Sequence, residues 1–357
     1  MNYPVRVTHQ DIARKFGCDK STVSLALRDN PRIPAQTRKQ IRELAEKMGY
    51  RPDPALAMLA RQRWAKHDPE VGSTLAFIVN RKRSFYSVQA PYIQGAKERA
   101  RERGYQLLEF DLDEYPSGQT ASKVLYSRGI RGLILACIPP DDLAPIVALD
   151  WDKFTVVSLS HGWGHVPVDA VGINYFESTR LVWREVAARG YQRIGAALFQ
   201  ESPASIVDAE RLGACYVAQQ ELVPAKQHIP MLLSPDRKGF FSWLKQHRPE
   251  AIISRLGGVD EWLIEAGYQI PRDVGYACLR VERDGRVAGA SVMVDHIGRA
   301  AVDTVIAQMH ENRWGIPAIR QTTQLEPFWV DGATLPTRKV VAVTEPAAHP
   351  RSGAKTR

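Results

Sequence analysis

The stretch that most constrains this chain runs from Val7 to Tyr50, VTHQDIARKFGCDKSTVSLALRDNPRIPAQTRKQIRELAEKMGY. Its pattern is three short helices with a tight turn between the first two. Thr8 is placed to cap the first helix, with Asp11 three positions on as the acidic partner of a capping box. Ile12, Ala13 and Phe16 then fall on one face at helical spacing. Gly17 ends the helix, because glycine accepts the left-handed conformation of a C-terminal turn. Asp19 is placed to cap a second helix, Lys20 to about Leu27, whose inward residues are Val23, Ala26 and Leu27. A third helix is expected from about Ala35 to Met48, with Ile41, Leu44, Ala45 and Met48 as its buried stripe. Helix, glycine turn and second short helix make the helix-turn-helix pattern.

The second helix leaves Lys20, Ser21, Ser24, Leu25 and Arg28 outside. In a helix-turn-helix that face enters the DNA major groove. There Lys donates to guanine, Ser bonds to several bases and Leu touches a thymine methyl. Hydroxyls at Thr22 and Ser24 suit phosphates, which fix the register. The alternative is a small helical bundle with a solvated polar face. The joint occurrence of cap, glycine and third helix weighs against it.

The stretch VTHQDIARKFGCDKSTVSLAL, the following NPRIPAQTR and the closing GYRPDPALAMLA resemble the DNA-binding head of the lactose-repressor (LacI/GalR) family of bacterial transcription regulators. The resemblance implies that Lys20 and Ser21 hold the two main base-reading positions. Leu25 holds a third, where many members carry Arg; losing a bidentate guanine contact there implies a different half-site. Thr8, Thr22, Ser24, Arg28, Arg32, Thr37 and Tyr50 match positions that touch the DNA backbone or lie near it. Pro34 stands where the family usually has a Ser or Thr cap, so the third helix is expected to start differently.

Charge supports a polyanion partner. Residues 1–66 carry 14 Lys and Arg against 6 Asp and Glu, whereas the remainder carries 34 against 33. Nearly all of the +9 excess therefore sits on one small domain, the electrostatic footprint of a nucleic-acid binder. Cys18, Cys137, Cys215 and Cys278 occur singly, without metal or redox spacing, and read as buried thiols in a reducing compartment. No signal-like apolar region opens the chain, and no run approaches the roughly 20 apolar residues that span a bilayer. The expectation is a cytoplasmic protein.

At 357 residues the chain is too long for one ordinary core. We expect a helix-turn-helix domain over 1–52, a hinge helix and linker over 53–72, a body over 73–344 and a disordered Pro- and Ala-rich tail over 345–357. The Arg51-Pro-Asp-Pro54 run breaks the third helix. Ala55 to Arg63 is a run of good helix formers too short for a stable isolated helix. One reading is a frayed linker. The family resemblance implies the other: a hinge helix that orders when two copies pair on DNA, with Leu59 as the apolar wedge that kinks the minor groove at the operator centre.

From Ser73 strands alternate with helices. Strands are expected at Leu75–Val79, Gln106–Phe110, Gly132–Ile138, Phe154–Leu159, Arg193–Phe199, Ala251–Ser254 and Val274–Cys278, and near Thr322 and Val340. Helices are expected at Pro91–Arg103, Thr120–Arg128, Glu177–Arg189, Asp208–Glu221, Phe240–His247, Val259–Ala266 and Arg299–Glu311. This alternation implies two doubly wound parallel-sheet subdomains. The family's body has that arrangement, like periplasmic binding proteins, with a small-molecule site between the lobes. VDAVGINYFESTRL, ARGYQRIGAALF and GYQIPRDVGYACL keep the family's spacing.

In open parallel sheets ligands sit at the carboxyl ends of strands. The loops there offer Tyr86, Ser160, Trp163, Arg255 and Arg280 as candidate contacts. Phe85, Tyr86, Tyr92, Trp163, Phe199 and Trp262 offer aromatic faces for a sugar, or else are ordinary core or loop residues. Arg211 matches an Arg that many members of the family use to hold a sugar hydroxyl or carboxylate; read alone, it is a surface Arg on an amphipathic helix. Two departures stand out. Arg255, Leu256 and Gly257 replace the family's frequent Asn-Asp pair, and Leu279 and Arg280 replace a frequent Asp. Arg211, Arg255 and Arg280 together suit an anionic effector such as a uronate or sugar phosphate. Otherwise the pocket is degenerate and control comes by another route.

An enzyme is disfavoured: the chain has no Gly-rich phosphate loop and no nucleophile elbow. His161 and His165 lie four apart, but Gly162 and Gly164 argue for a loop rather than a metal-binding helix face. No cofactor is expected. The sequence reads as a transcription regulator, in all expectation a repressor, binding a two-fold symmetric operator as a homodimer under control of a sugar-like effector. The alternative is a cytoplasmic carbohydrate-binding protein with an inert head.

Overall fold

The structure is a computed structural model that describes residues 7–27, 32–50, 74–79, 81, 86–136, 148–159, 167–200, 205–255, 258–281 and 285–338, residues 86–88 by backbone alone. The hinge at 53–72, with Leu59, and the tail at 345–357 lie outside the described residues. So do Arg28, Cys137, Ser160, His161, Trp163, His165 and Val340.

Three short helices build the head: α1 (His9–Phe16), α2 (Lys20–Leu27) and α3 (Ala35–Lys47). Their apolar stripes meet in one small core. Ile12, Val23, Ala26 and Ile41 are fully buried, with Leu27, Leu44 and Met48 packed at its margin. Each large aliphatic side chain buried there contributes roughly 1.5–3 kcal/mol.

The body divides into two compact units. The first takes the chain up to Asn174 and again from Met293 to Leu325; the second takes Tyr175–Val292 and the chain from Glu326. In the first unit the strands are β1 (Thr74–Val79), β2 (Gln106–Asp111), β3 (Gly132–Leu135), β4 (Thr155–Leu159), β5 (Asp169–Ile173) and β11 (Thr322–Leu325). They form one sheet in the order β11-β5-β4-β3-β1-β2, and every pair is parallel. Residues 75–79 of β1 are all buried. A continuous apolar run of this kind belongs to a parallel strand covered on both faces. Its helices are α4 (Tyr86–Glu102), α5 (Gly118–Ser127) and α10 (Val294–His310).

The second unit repeats the plan. β6 (Ile194–Leu198), β7 (Leu232–Leu233), β8 (Ala251–Ser254), β9 (Gly275–Cys278), β10 (Ala288–Ser291) and β12 (Phe328–Val330) are ordered β12-β10-β9-β8-β6-β7. All pairs are parallel except β12, which runs antiparallel to β10. The helices are α6 (Tyr175–Ala188), α7 (Ile206–Leu222), α8 (Arg237–His247) and α9 (Val259–Glu265). Two parallel α/β sheets in one chain agree with the expected fold.

Several expected boundaries need correction. α4 starts five residues before Pro91, which lies inside it. The missing N–H of Pro91 forfeits one bond to the first turn, and packing of Ile93, Ala96 and Ala100 holds the helix nonetheless. α10 begins at Val294, not Arg299. Strands β5, β7, β10 and β12 were not anticipated. They have two to five residues each, and DAVGI and AGAS lack the β-branched run that marks a strand.

Within the first unit α4 and α10 pack backbone to backbone. A Cβ on Gly298 would lie 2.0 Å from the Tyr92 carbonyl oxygen, and one on Gly95 2.0 Å from that of Asp295. An ionic clasp seals the pair. Arg99 donates to both carboxylate oxygens of Asp303, from Nε at 3.0 Å and Nη2 at 2.8 Å, and Arg299 donates to Glu102 at 2.7 Å. Gly298→Ala forces the helices apart. It should lower the urea-unfolding stability of the full chain by about 1–3 kcal/mol, the usual cost of overpacking. Gly213→Ala, with open space around it, should do far less.

Candidate nucleic-acid interface and ligand recess

The head presents its polar face because its ends are locally locked. The Thr8 side chain accepts from the Asp11 amide at 3.4 Å, and the Thr8 amide donates back to Asp11 Oδ2 at 2.9 Å. That reciprocal box satisfies two amides that a helix start leaves unpaired. Side-chain and then backbone bonds from Thr8 hold the Asp11 carboxyl below its usual range. At the other end Gly17 adopts φ 82° and donates to the Ala13 carbonyl at 2.9 Å. The turn leads directly into α2, where the Asp19 carbonyl accepts from the Val23 amide. α3 starts after Pro34 with no side-chain cap. Instead Arg38 reaches back to the Ile33 carbonyl at 2.7 Å.

On α2, Lys20 and Ser21 are exposed, Thr22, Ser24 and Leu25 are half-buried, and Val23 and Ala26 face the core. Arg32 is exposed, and Thr37 and Tyr50 are half-buried. The Tyr50 hydroxyl lies 2.6 Å from His9 Nε2. Sequence patterning missed His9, since a bond between residues 41 apart leaves no periodic signal. Exposed cations also line the head at Arg14, Lys15, Lys39, Arg42 and Lys47.

The second unit carries a recess at the carboxyl ends of β6, β8 and β9. Leu198, Phe199, Gln200, Leu233, Arg255 and Leu279 line it from the strand side, and Asp208, Arg211 and Leu212 from α7. Ser205 caps α7 by accepting from the Asp208 amide at 3.2 Å. This sets Asp208 and Arg211 one turn apart on the same face, their charged groups 3.5 Å apart. Arg211 is only 8% exposed, and its guanidinium lies 4.8 Å from the Tyr175 ring centroid. Phe199 packs edge-on against Trp262. The Arg255 carbonyl accepts from the buried Tyr276 hydroxyl at 2.7 Å. Behind Arg211, burial pushes the Cys215 thiol up to about 12, which makes it an inert core group.

Of the residues expected at a ligand site, Arg211, Arg255 and Phe199 therefore meet in one recess. Arg280 is exposed and outside its lining, and Tyr92 is half-buried on α4. The side chain of Tyr86 is not among the described atoms. Asp208 was missed; its spacing of three from Arg211 was the available signal. Among the described residues no His, Cys, Asp and Glu cluster suits a metal, and no helix is long and apolar enough to cross a membrane.

Comparison with known proteins bears on both regions. Residues 8–53 match the family model described as bacterial regulatory proteins, lacI family. The HTH-type transcriptional regulator PtxS of Pseudomonas putida is 26% identical over 284 residues, covering 77% of this chain and 79% of its own. Among solved structures, the lac repressor dimer bound to operator and an anti-inducer is 18% identical, with TM-score 0.53, covering 93% of this chain and 99% of that one. The CelR–cellobiose complex is 16% identical, with TM-score 0.54, covering 92% and 100%. At these identities the two structures establish a shared fold.

Thr8→Ala removes the side chain that both gives and receives in the capping box. It should cost the head about 1 kcal/mol. Hydrogen exchange of the α1 amides in the full-length protein should quicken, while exchange in β1 and β8 stays unchanged.

Proposed function

We propose that this chain, whose residues 8–53 match the model of bacterial regulatory proteins, lacI family, is a DNA-binding regulator of transcription of that family, and a repressor that binds an inverted-repeat operator as a homodimer. The observation that carries this reading is the outward face of α2, with Lys20 and Ser21 exposed at its first turn. Lys20 and Ser21 read bases, and Leu25 touches a thymine methyl. Thr8, Thr22, Ser24, Arg28, Arg32, Thr37 and Tyr50 hold the phosphates, with Leu59 as the central wedge. Two copies are needed because one head spans only a half-site, and pairing them makes the site palindromic.

Selection of bound sequences from a random duplex pool, with the full-length protein at physiological salt, should return an inverted repeat with fixed spacing. Lys20→Ala should relax the preference at one base of each half-site, at a cost of about 1–3 kcal/mol per lost contact. Equal weakening on every sequence would make Lys20 a phosphate contact instead. Purely salt-sensitive, motif-free binding would favour a carbohydrate-binding protein with an inert head.

The effector we propose is a sugar acid or sugar phosphate seated in the recess of the second unit. Arg211 and Arg255 line it together with one carboxylate, Asp208, which lies 3.5 Å from the Arg211 guanidinium. The surplus positive charge favours an anion over a neutral sugar, and the apolar lining lowers the local dielectric. Titration calorimetry against neutral sugars, uronates, aldonates and phosphosugars should find an anionic ligand. Arg211→Gln should weaken it by at least about tenfold, the loss of one charge-assisted bond. Binding confined to neutral sugars would refute the anionic class.

A further inference from the structure

We propose that Phe199 is the specificity-determining residue of the recess: its ring takes the C–H face of a cyclic effector, so the ligand is a sugar acid or sugar phosphate in closed-ring form. This rests on the effector reading above and narrows it.

The strand end fixes where Phe199 stands. It is the first residue after β6. On one side of it the Leu198 carbonyl accepts from the Ser234 amide at 2.7 Å, and on the other the Gln200 amide donates to Ser234 Oγ at 3.4 Å. One serine therefore holds the backbone on both sides of the aromatic residue.

The start of α9 then fixes the ring. Gly258 stands directly before that helix, and a Cβ there would lie 2.9 Å from Phe199 Cε2 and Cζ, well inside the contact distance of two carbons. The ring tip seats against bare glycine backbone, in space that any side chain at 258 would take. Trp262 packs edge-on against the same ring, with centroids 5.8 Å apart at 69°. Trp262 lies in turn 5.8 Å from the ring of Phe240, which is fully buried. The brace thus runs from the core of the second unit out to Phe199. Phe199 itself is half-buried, and the ring surface that these contacts leave uncovered borders the recess that Arg211 and Arg255 also line.

A held ring next to guanidinium groups selects shape as well as charge. A closed sugar ring gathers C–H bonds on a face and carries its polar groups at the rim. The face of a phenyl ring is negative and attracts those weakly positive hydrogens. An open-chain acid of the same size offers no such face, and it loses the freedom of several bonds when it lies flat. Because Phe199 is in place before the ligand arrives, ordering it adds little to the cost of binding.

The test is titration calorimetry of the full-length protein with matched anions. The methyl glycosides of glucuronate and galacturonate, both anomers, cannot open; they are compared with gluconate and galactonate. Glucose 1-phosphate is compared with glucitol 6-phosphate. The ring-locked member of a pair should bind about fivefold tighter or more, the worth of one aromatic contact. Phe199→Leu should erase that preference by weakening the ring-locked anions alone. Leu233→Ala, elsewhere in the lining, should leave the preference intact. In the unmutated protein the C–H protons of the bound ring-locked ligand should move upfield in ¹H NMR, the ring-current mark of an aromatic face. This last measurement decides even where Phe199→Leu folds poorly. Equal binding within the pairs, an equal loss for both members in folded Phe199→Leu, or no upfield shift overturns this proposal and leaves the anionic effector standing. Binding confined to neutral sugars overturns the anionic class; the Phe199 proposal then survives only if methyl glucoside outbinds glucitol and Phe199→Leu removes the difference. No binding by any of these ligands overturns the effector reading, and this proposal with it.

Discussion

The carboxylate of Asp169, at the start of β5, holds together the part of the chain on which the first unit depends. One oxygen accepts from Gln308 Nε2 at 2.6 Å and Arg313 Nη2 at 2.9 Å, and the other accepts from the Gln321 amide at 2.7 Å. These donors come from the end of α10 and from the segment that enters β11. Asp169 is 4% exposed, so its charge is tolerable only because donors surround it. β11 is an edge strand of the first sheet, reached only after the chain has built most of the second unit and returned. With few residues in β11, the strand ladder alone is a weak anchor. The carboxylate fixes its register before β11 hands the chain back to the second unit.

A comparable economy governs the head. It has too few residues for a large core, so local devices carry much of its definition. The Thr8–Asp11 box fixes where α1 begins, and Gly17 fixes where it ends. The position of α2 then follows from burial of Val23 and Ala26 against Ile12 and Ile41. Lys20 and Ser21 are outside because those residues are inside. The polar face is a consequence of the core, and its chemistry can vary without disturbing the fold.

The recess follows from the sheet. Parallel strands end together, and the helices that follow start beside them, so side chains from distant parts of the chain converge at one edge. Leu198, Arg255 and Leu279 arrive by strand, and Asp208 and Arg211 by the first turns of α7. The pairing of Asp208 with Arg211 tempers the positive charge. The cysteine beneath is buried and inert, and apolar side chains make up most of the remaining wall.

Much was legible in the sequence wherever the signal was local. Thr8, Asp11, Gly17 and the apolar spacing of the first three helices required only neighbours within one turn. The long buried run TLAFIV declared a two-sided parallel strand, and strand–helix alternation declared the α/β class. The head's excess of Lys and Arg was legible from composition alone. What tertiary structure decided was non-local. DAVGI and AGAS became strands because flanking strands offered unpaired backbone groups. Pro91 was held inside a helix because α10 packs against that helix. Asp169, Asp208 and the His9–Tyr50 pair gained their roles from partners brought together by the fold. Local propensity is written in adjacent residues, whereas hydrogen-bond partners far apart in sequence are chosen only when the folded core sets their distance.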